Sequence, residues 1–136
     1  MINVSIVTAE KLLYEGQASR VVCPGIVGDL EILPNHAPLL AMLSSGQLLV
    51  SLGQEEEYFY VSGGIVEVQK DGLIVLADSG ERAQDLDEAK AKEAQQRAQA
   101  LLISKNAAVN LSEVYRELAE ALQQIKLIQK LRNKRG

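Results

Sequence analysis

The spacing of hydrophobic and polar positions changes once along the chain, near residue 85. Before this point apolar and polar side chains alternate over short segments, as in Asn3-Val4-Ser5-Ile6-Val7-Thr8. Alternation with a period of two is typical of a strand with one buried face. After this point apolar residues recur every three or four positions, which is the period of an amphipathic helix. The pattern predicts a strand-built domain over residues 1–84 and a helical tail over residues 85–136.

The first domain is predicted to contain many short strands separated by turns. The predicted strands are Asn3–Thr8, Lys11–Glu15, Ala18–Cys23, Gly28–Leu33, Gln47–Leu52, Glu57–Ser62, Ile65–Gln69 and Leu73–Ala77. The predicted turns are Pro24-Gly25, Pro34-Asn35, Ser45-Gly46, Gly63-Gly64 and Asp71-Gly72, because Gly permits positive φ and Pro fixes φ and removes a donor. Closely spaced short strands with no helical period between them favour an antiparallel sandwich or barrel.

The tail is predicted to form two helices, since all three prolines and nine of the ten glycines precede residue 81. The first helix is predicted to be capped by Asp85, with Glu88 three residues on. Its apolar face comprises Ala91, Ala94, Ala98, Leu101 and Leu102. After a loop between Asn106 and Asn110, the second helix carries a stripe of Leu111, Tyr115, Leu118, Leu122 and Ile125, widened by Val114, Ala121, Ile128 and Leu131. Two such helices joined by a short loop are expected to form an antiparallel hairpin.

Charge is distributed unevenly along the chain, although the net charge is only −4. Residues 1–85 carry 12 acidic and 4 basic side chains, whereas residues 86–136 carry 6 acidic and 10 basic ones. The basic residues of the second helix are Arg116, Lys126, Lys130, Arg132, Lys134 and Arg135. An acidic domain repels phosphate, so the composition argues against a nucleic-acid-binding protein.

The apolar and cysteine content points to a protein that works in a reducing compartment without a membrane span. The longest apolar run, residues 37–43, is far shorter than the ~20 residues that a spanning helix needs. No positively charged start precedes an apolar stretch, so no secretory signal is expected. The single cysteine, Cys23, has no internal partner for a disulfide and is expected to be a small buried strand residue.

The densest group of chemically active side chains lies in residues 28–40, which hold Asp29, Glu31 and the only histidine, His36. An enzyme could use one carboxylate as a base and His36 as its acid partner. However, Asp29 and Glu31 share one face of the predicted strand, as on a solvent-facing strand. The sequence also contains no recognisable nucleophile elbow, paired cysteines or Gly-rich phosphate loop. A rigid loop that presents polar side chains is the better interpretation.

Four blocks of sequence resemble the epsilon subunit of bacterial and chloroplast F-type ATP synthases. They are Gly28-Asp29-Leu30-Glu31-Ile32-Leu33-Pro34-Asn35-His36-Ala37-Pro38-Leu39, Tyr60-Val61-Ser62-Gly63-Gly64-Ile65-Val66-Glu67-Val68, Val75-Leu76-Ala77-Asp78 and Asp85-Leu86-Asp87-Glu88-Ala89. The blocks occur in the family's order, and the resemblance extends over essentially the whole chain. It implies an α+β protein, with an antiparallel β-sandwich of about ten strands followed by a two-helix hairpin.

The resemblance also implies a non-catalytic role in the central rotor of the synthase. The expected partners are the gamma subunit, the c-ring subunits, and the beta and alpha subunits of the catalytic head. The chain is expected to be peripheral to the plasma or thylakoid membrane, on its cytoplasmic or stromal side. The family's ring-facing loop corresponds to Asp29, Glu31 and His36, and its gamma-contacting edge corresponds to Leu39, Leu40, Ala41 and Met42. The helical tail is expected to restrain ATP hydrolysis through its basic residues. The alternative interpretation of these residues is a solvated helix end that complements its own dipole.

No metal is expected, and the single cofactor to consider is ATP as a regulatory ligand. The chain departs from the family pattern at the motif that would hold this ATP. Some family members hold ATP with the motif Ile/Leu-Asp-x-x-Arg-Ala, which corresponds here to Leu86, Asp87, Lys90 and Ala91, with Arg97 downstream. Lys90 stands where the pattern has Arg, and a lysine offers a point charge instead of a planar fork of donors. This departure argues against ATP as a regulatory ligand of this chain.

Two other interpretations are separated from this one by experiment. A free-standing β-sandwich adaptor whose helices bind another helical protein would not require a gamma subunit. A small enzyme centred on His36 would lose its turnover in a His36→Ala variant.

Overall fold

The computed structural model describes residues 1–103 and 110–135, with side chains as far as residue 133. The chain forms two compact units, Met1–Ala83 and Gln84–Gly136. The strands of the first unit are β1 (Ile2–Val7), β2 (Leu12–Ala18), β3 (Arg20–Gly25), β4 (Gly28–Ile32), β5 (Leu39–Leu52), β6 (Glu55–Gln69) and β7 (Gly72–Arg82). A 3₁₀ turn at Ala83–Asp85 precedes the helices α1 (Glu88–Ile103) and α2 (Leu111–Arg135).

The seven strands form one hydrogen-bonded sheet in the order β2-β1-β7-β6-β5-β3-β4. All neighbouring pairs are antiparallel except β1 and β7, which run parallel. A single core draws buried apolar side chains from all seven strands, including Ile6, Val21, Ile32, Leu48 and Phe59. Because one core is shared by both ends of the sheet, the sheet folds over on itself as a β-sandwich. The predicted fold class, a sandwich followed by two helices, is confirmed.

The inward-facing side of the sheet changes partway along the long strands. On β6 the core residues are Phe59 and Val61 and then Val66 and Val68, so inward positions change from odd to even numbers. β6 keeps one constant register with β5 and one with β7 along its length. Gly63 is the one position between the two halves of β6 at which no residue pair forms. Because the registers are kept, the neighbouring strands must change their inward-facing side at the same place as β6. As a result, both halves of β6 pack against the same core.

Two adjacent glycines make this change of face sterically feasible. Gly63 has φ of 72° and Gly64 has φ of 120°, and side chains of L-amino acids rarely tolerate either value. A Cβ on Gly64 would also lie 2.7 Å from the Cα of Ala77 and closer still to the carbonyl oxygen of Leu76. The pair thus acts as an irregularity within a strand, a common role for glycine in bent sheets.

The predicted number of strands and several predicted turns were wrong. Gly63-Gly64 and Ser45-Gly46 lie inside β6 and β5, so segments predicted as separate strands are halves of continuous ones. Counting each of the three long strands twice would recover the expected ten. The β3–β4 turn lies at Ile26–Val27 instead of Pro24-Gly25, and a register shift in β3 accommodates the proline within the sheet. The turn at Pro34-Asn35 is confirmed, and the turn predicted at Asp71-Gly72 lies one residue earlier, at Lys70-Asp71.

The two helices pack against each other as the predicted hairpin. Glu88 in the first turn of α1 contacts Arg132 in the last turns of α2, so the helices run antiparallel. Asn110 caps α2, since its side-chain oxygen accepts a hydrogen bond from the backbone N–H of Glu113 at 3.3 Å. The predicted cap at Asp85 was wrong, because Asp85 ends the 3₁₀ turn and Asp87 accepts the bond from the N–H of Lys90 at 3.2 Å. Asn106 lies outside the described residues.

The buried positions of the helical unit are mostly small, and they differ in part from the predicted stripe. They are Ala91, Ala98, Val114, Ala121, Ile125 and Leu127. The predicted residues Leu101, Leu111, Tyr115 and Leu122 are exposed instead. At about 100° per residue, the last three lie roughly 60–100° around α2 from Val114. Val114, Ala121 and Ile125 lie within about 40° of one another around α2, whereas Leu127 lies roughly 140° away from Val114, so the buried positions do not form a single face.

Candidate functional site: docking surfaces of the sandwich and charges of the helix pair

The two carboxylates predicted to face the c ring lie on β4, at the free edge of the sheet. Asp29 is exposed and sits opposite Pro24 in the β3–β4 ladder. Glu31 is also exposed, and its Oε1 lies 3.3 Å from Nη1 of Arg20. The turn that joins the two strands carries Val27, which is 93% exposed. This hairpin therefore presents an apolar tip followed by acidic side chains.

His36 lies in the loop after β4, held by local hydrogen bonds. Asn35 adopts φ of 67°, and the backbone N–H of His36 donates to the carbonyl of Leu33 at 3.2 Å. The ring Nδ1 lies 2.6 Å from the carbonyl oxygen of Ala37. A carbonyl oxygen only accepts, so Nδ1 carries the proton in this arrangement and Nε2 remains available to a partner.

The structure does not bring His36 and the two carboxylates into one catalytic group. Asp29 is near the start of β4 and His36 follows its end, so a strand separates them. Glu31 is paired with Arg20, and the His36 ring is paired with a backbone carbonyl. His36 instead lines a polar cleft of about 470 Å³ together with the β6–β7 turn at Lys70 and Asp71. Within residues 1–103 and 110–133, no three His, Cys, Asp or Glu side chains are grouped to hold a metal ion.

The predicted gamma-contacting edge, Leu39 to Met42, forms the first part of β5 and has two distinct faces. Leu39 and Ala41 pack against the core of the sandwich. Leu40 and Met42 point outward and are 67% and 61% exposed. Only two of the four predicted side chains are therefore available to a partner.

Met42 belongs to a larger apolar surface that the sequence analysis missed. The strand registers place it opposite Ile65 of β6, which lies opposite Leu76 of β7. Leu76 pairs with Val7 of β1, and Val7 pairs with Leu12 of β2. We call these five residues, Met42, Ile65, Leu76, Val7 and Leu12, the apolar row. Leu76 is 48% exposed and Leu12 is 54% exposed.

Further exposed apolar side chains flank the apolar row. The backbone N–H of Ile26, in the β3–β4 turn, donates to the carbonyl of Met42 at 3.1 Å, so the exposed tip of that hairpin adjoins one end. Leu40 and Ile74 lie on the same outer face in the next line of paired residues, on either side of Glu67. The sequence contains one indication of this surface, the unbroken apolar run Leu73–Ala77. A strand whose two faces are both apolar is typically covered on both sides.

The basic residues of α2 occupy different environments within the helical unit. Arg132 pairs with Glu88 across the two helices, whereas Arg116 lies 3.9 Å from Glu113 on its own helix. Lys126 is exposed and Lys130 is half-buried. The side chains of Lys134 and Arg135 lie outside the described residues.

Glu88 has two cationic partners. Its Oε1 lies 3.1 Å from Nζ of Lys92, one turn further along α1, and its Oε2 contacts Nη2 of Arg132. The hydrogen bond from Lys92, followed by that from Arg132, lowers the pKa of the Glu88 carboxyl below its usual range. The carboxylate is therefore charged at neutral pH.

The candidate ATP contacts are already engaged or lie apart on α1. Asp87 caps the helix and Ala91 is buried. Lys90 and Arg97 are exposed two helical turns apart, while Leu86 is half-buried.

The single cysteine, Cys23, is fully buried as expected. Burial, followed by the charge of Asp29, raises the pKa of its thiol to about 12. This thiol is unsuited to nucleophilic chemistry at neutral pH.

Comparisons with known proteins agree with these features. Residues 1–83 match the family described as the beta-sandwich domain of the ATP synthase delta/epsilon chain. The chain is 46% identical over 134 residues to the ATP synthase epsilon chain of Alkalilimnicola ehrlichii, covering 98% of this chain and 96% of the relative. It is 47% identical over 131 residues to the epsilon chain of Acidithiobacillus ferridurans, covering 96% and 93%. The chain belongs to the ATP synthase epsilon chain family.

Solved structures share the fold at low sequence identity. A chain of the Euglena gracilis mitochondrial ATP synthase, solved as OSCP/F1/c-ring, aligns with a TM-score of 0.71 and 17% identity, covering 99% of this chain and 81% of that one. A chain from the central stalk and c ring of the Tetrahymena thermophila enzyme aligns with a TM-score of 0.59 and 15% identity, covering 96% and 95%. Among the described residues, no helix is long and apolar enough to cross a membrane.

Proposed function

We propose that this chain is a non-catalytic central-stalk subunit of an F-type ATP synthase, which couples proton-driven rotation to ATP synthesis. The observation that carries the proposal is the apolar row, a partly exposed line of five apolar side chains across five strands. Exposed apolar patches of this extent mark interaction sites. The proposed occupant is the gamma subunit, because the resemblance to the family implies that residues 39–42 form the edge that meets it.

The apolar row is long enough to support a stable interface. Five strands spaced about 4.8 Å apart span roughly 19 Å, and the flanking residues Ile26, Leu40 and Ile74 widen the surface. A specific interface buries about 800 Å² on each partner and concentrates its binding energy in a central apolar cluster. The row supplies such a cluster.

The acidic end of the sandwich is proposed to face the c ring. Asp29 and Glu31 are exposed at the free edge, and His36 offers Nε2 from a loop fixed by its own hydrogen bonds. These polar groups suit the polar loops of ring subunits. This arrangement would hold the chain at the membrane surface, on the cytoplasmic or stromal side.

The helical tail is proposed to restrain ATP hydrolysis by moving between the closed hairpin and an opened form. Opening would expose the buried residues of α1 and α2, and the basic side chains Arg116, Lys126, Lys130, Arg132, Lys134 and Arg135 would approach acidic loops of the beta and alpha subunits. Each exposed ion pair contributes only ~0.2–1 kcal/mol, so these charges bias a balanced equilibrium.

Deletion of residues 111–136 tests this restraint. ATP hydrolysis by the assembled synthase is expected to rise several-fold, because the truncated tail lacks α2 and most of its basic residues. The measurement is the hydrolysis rate of membranes carrying the truncated chain, with immunoblots of gamma to verify assembly. Unchanged hydrolysis in a correctly assembled complex would contradict the restraint.

ATP is proposed not to act as a ligand of the closed helix pair. Asp87 is engaged as a cap, Ala91 is buried, and Lys90 cannot supply a bidentate fork. Calorimetry of the full chain with millimolar ATP is expected to give no saturable heat. A Lys90→Arg variant is the matched comparison, and saturable binding by the natural chain would contradict the expectation.

A further inference from the structure

The helix pair is closed at one end by a charged group whose members come from both helices. Glu88 lies in the first turn of α1 and Arg132 near the end of α2, 44 residues apart in sequence. The end of α1 at Ile103 and the start of α2 at Leu111 lie at the opposite end of the hairpin. The contact therefore joins the two ends that would separate first if the tail opened.

We propose that Glu88 and Arg132 form an ion-pair clamp that holds the helix pair closed and sets how readily the tail opens. The closed state is a property of this chain alone. Its consequence for ATP hydrolysis rests on the proposed restraint by the tail.

The helix ends place both charges favourably. A carboxylate near a helix N-terminus and a cation near a C-terminus each interact well with the helix dipole. Antiparallel packing brings the N-terminus of α1 beside the C-terminus of α2, so Glu88 and Arg132 complement their own helices and each other. Lys92 occupies the second oxygen of Glu88, which orients the carboxylate toward Arg132.

Several buried side chains of the helical unit are small, so the ion pair contributes a larger share of the stability of the closed helix pair. Among the described residues of this unit, three of the six buried side chains are alanines, which bury far less apolar surface than leucines would. At the same time Leu111, Tyr115 and Leu122 remain exposed, so much of the apolar surface of α2 does not contribute to the closed state. An ion pair of modest strength is therefore a substantial fraction of what keeps the helices together.

Amide hydrogen exchange on the isolated full-length chain tests the clamp. Exchange in α1 and α2 is expected to quicken about three- to fivefold in Glu88→Gln and in Arg132→Gln, the change expected for loss of a well-placed exposed ion pair. The double variant should exchange no faster than the faster single variant, because the interaction can be lost only once. Molar salt should reduce the difference from the natural chain.

Arg116→Gln is the matched control. Arg116 is an exposed arginine of the same helix, and its ion pair stays within α2. Its substitution changes the net charge equally, but exchange in α1 should not change. Equal effects of Arg116→Gln and Arg132→Gln on α1, or effects that multiply in the double variant, would overturn the clamp.

A second measurement separates the clamp from the restraint of hydrolysis. In the assembled synthase, Glu88→Gln should lower ATP hydrolysis, because it favours the opened tail without removing a basic residue. Faster exchange together with unchanged hydrolysis would support the clamp and overturn the restraint. Unchanged exchange would overturn the clamp whatever the hydrolysis rate.

Discussion

Replacing Met42 and Leu76 together by aspartate is expected to weaken binding of the chain to a gamma subunit at least about a hundredfold. Both side chains belong to the apolar row and flank Ile65. Each substitution removes an apolar contact and places a carboxylate that must lose water when the interface forms. Burying an unpaired charge costs several kcal/mol, and a hundredfold loss corresponds to ~2.7 kcal/mol.

The folded sandwich should tolerate this change, because neither side chain contributes to the core and both are about half exposed or more. Circular dichroism should match that of the natural chain, and calorimetric titration with purified gamma measures the affinity. A matched control adds the same two charges elsewhere, in Gln54→Asp with Gln96→Asp, at exposed positions outside the row. Binding of the Met42 and Leu76 variant within threefold of this control would show that the row is not the docking surface.

Substitution of Gly64 by alanine is expected to lower the free energy of unfolding by roughly 3–5 kcal/mol. A φ of 120° is strained for alanine, and its Cβ would meet the backbone of Leu76 and Ala77 on the neighbouring strand. Backbone atoms within a sheet cannot rotate away, so the ladder between β6 and β7 must shift. Since domains of this size are stable by about 5–15 kcal/mol, a large part of the stability would be lost.

Gly53→Ala is the comparison that separates the cost of a positive φ from the cost of the backbone clash at Gly64. Gly53 also has positive φ, at 63°, but a Cβ there would meet no atom within 4 Å. Its cost should be near the ~1–2 kcal/mol of a left-handed alanine. Urea denaturation followed by circular dichroism gives both midpoints. Equal midpoints for the two variants would contradict the role assigned to Gly64 at the change of face.

Alternation and period were sufficient to predict most elements of this fold. The period of two identified most of the strand segments, and the period near 3.6 with the loss of glycine and proline identified both helices. The sequence could not distinguish a glycine pair that ends a strand from one that lets a strand continue. Gly63 and Gly64 permit both, and only the cross-strand contacts of β6 decide between them.

The candidate surfaces were predictable where they are local and not where they depend on strand order. Asp29, Glu31 and His36 were identified because they lie within one short segment. The apolar row escaped detection because Leu12 and Met42 come from distant parts of the sequence and join through three intervening strands. The cap of α1 was misplaced by two residues, since Asp85 and Asp87 have equal capping propensity and the preceding 3₁₀ turn takes up the first.

The most direct test of the central claim is the binding of the full chain to the gamma subunit of its own synthase. A tagged chain, purified under mild salt with solubilised membranes, is expected to retain gamma and the c ring in fixed proportion. The natural chain and its Gln54→Asp, Gln96→Asp variant should retain equal amounts. Recovery of the natural, folded chain without gamma would contradict the assignment of this protein to the central stalk.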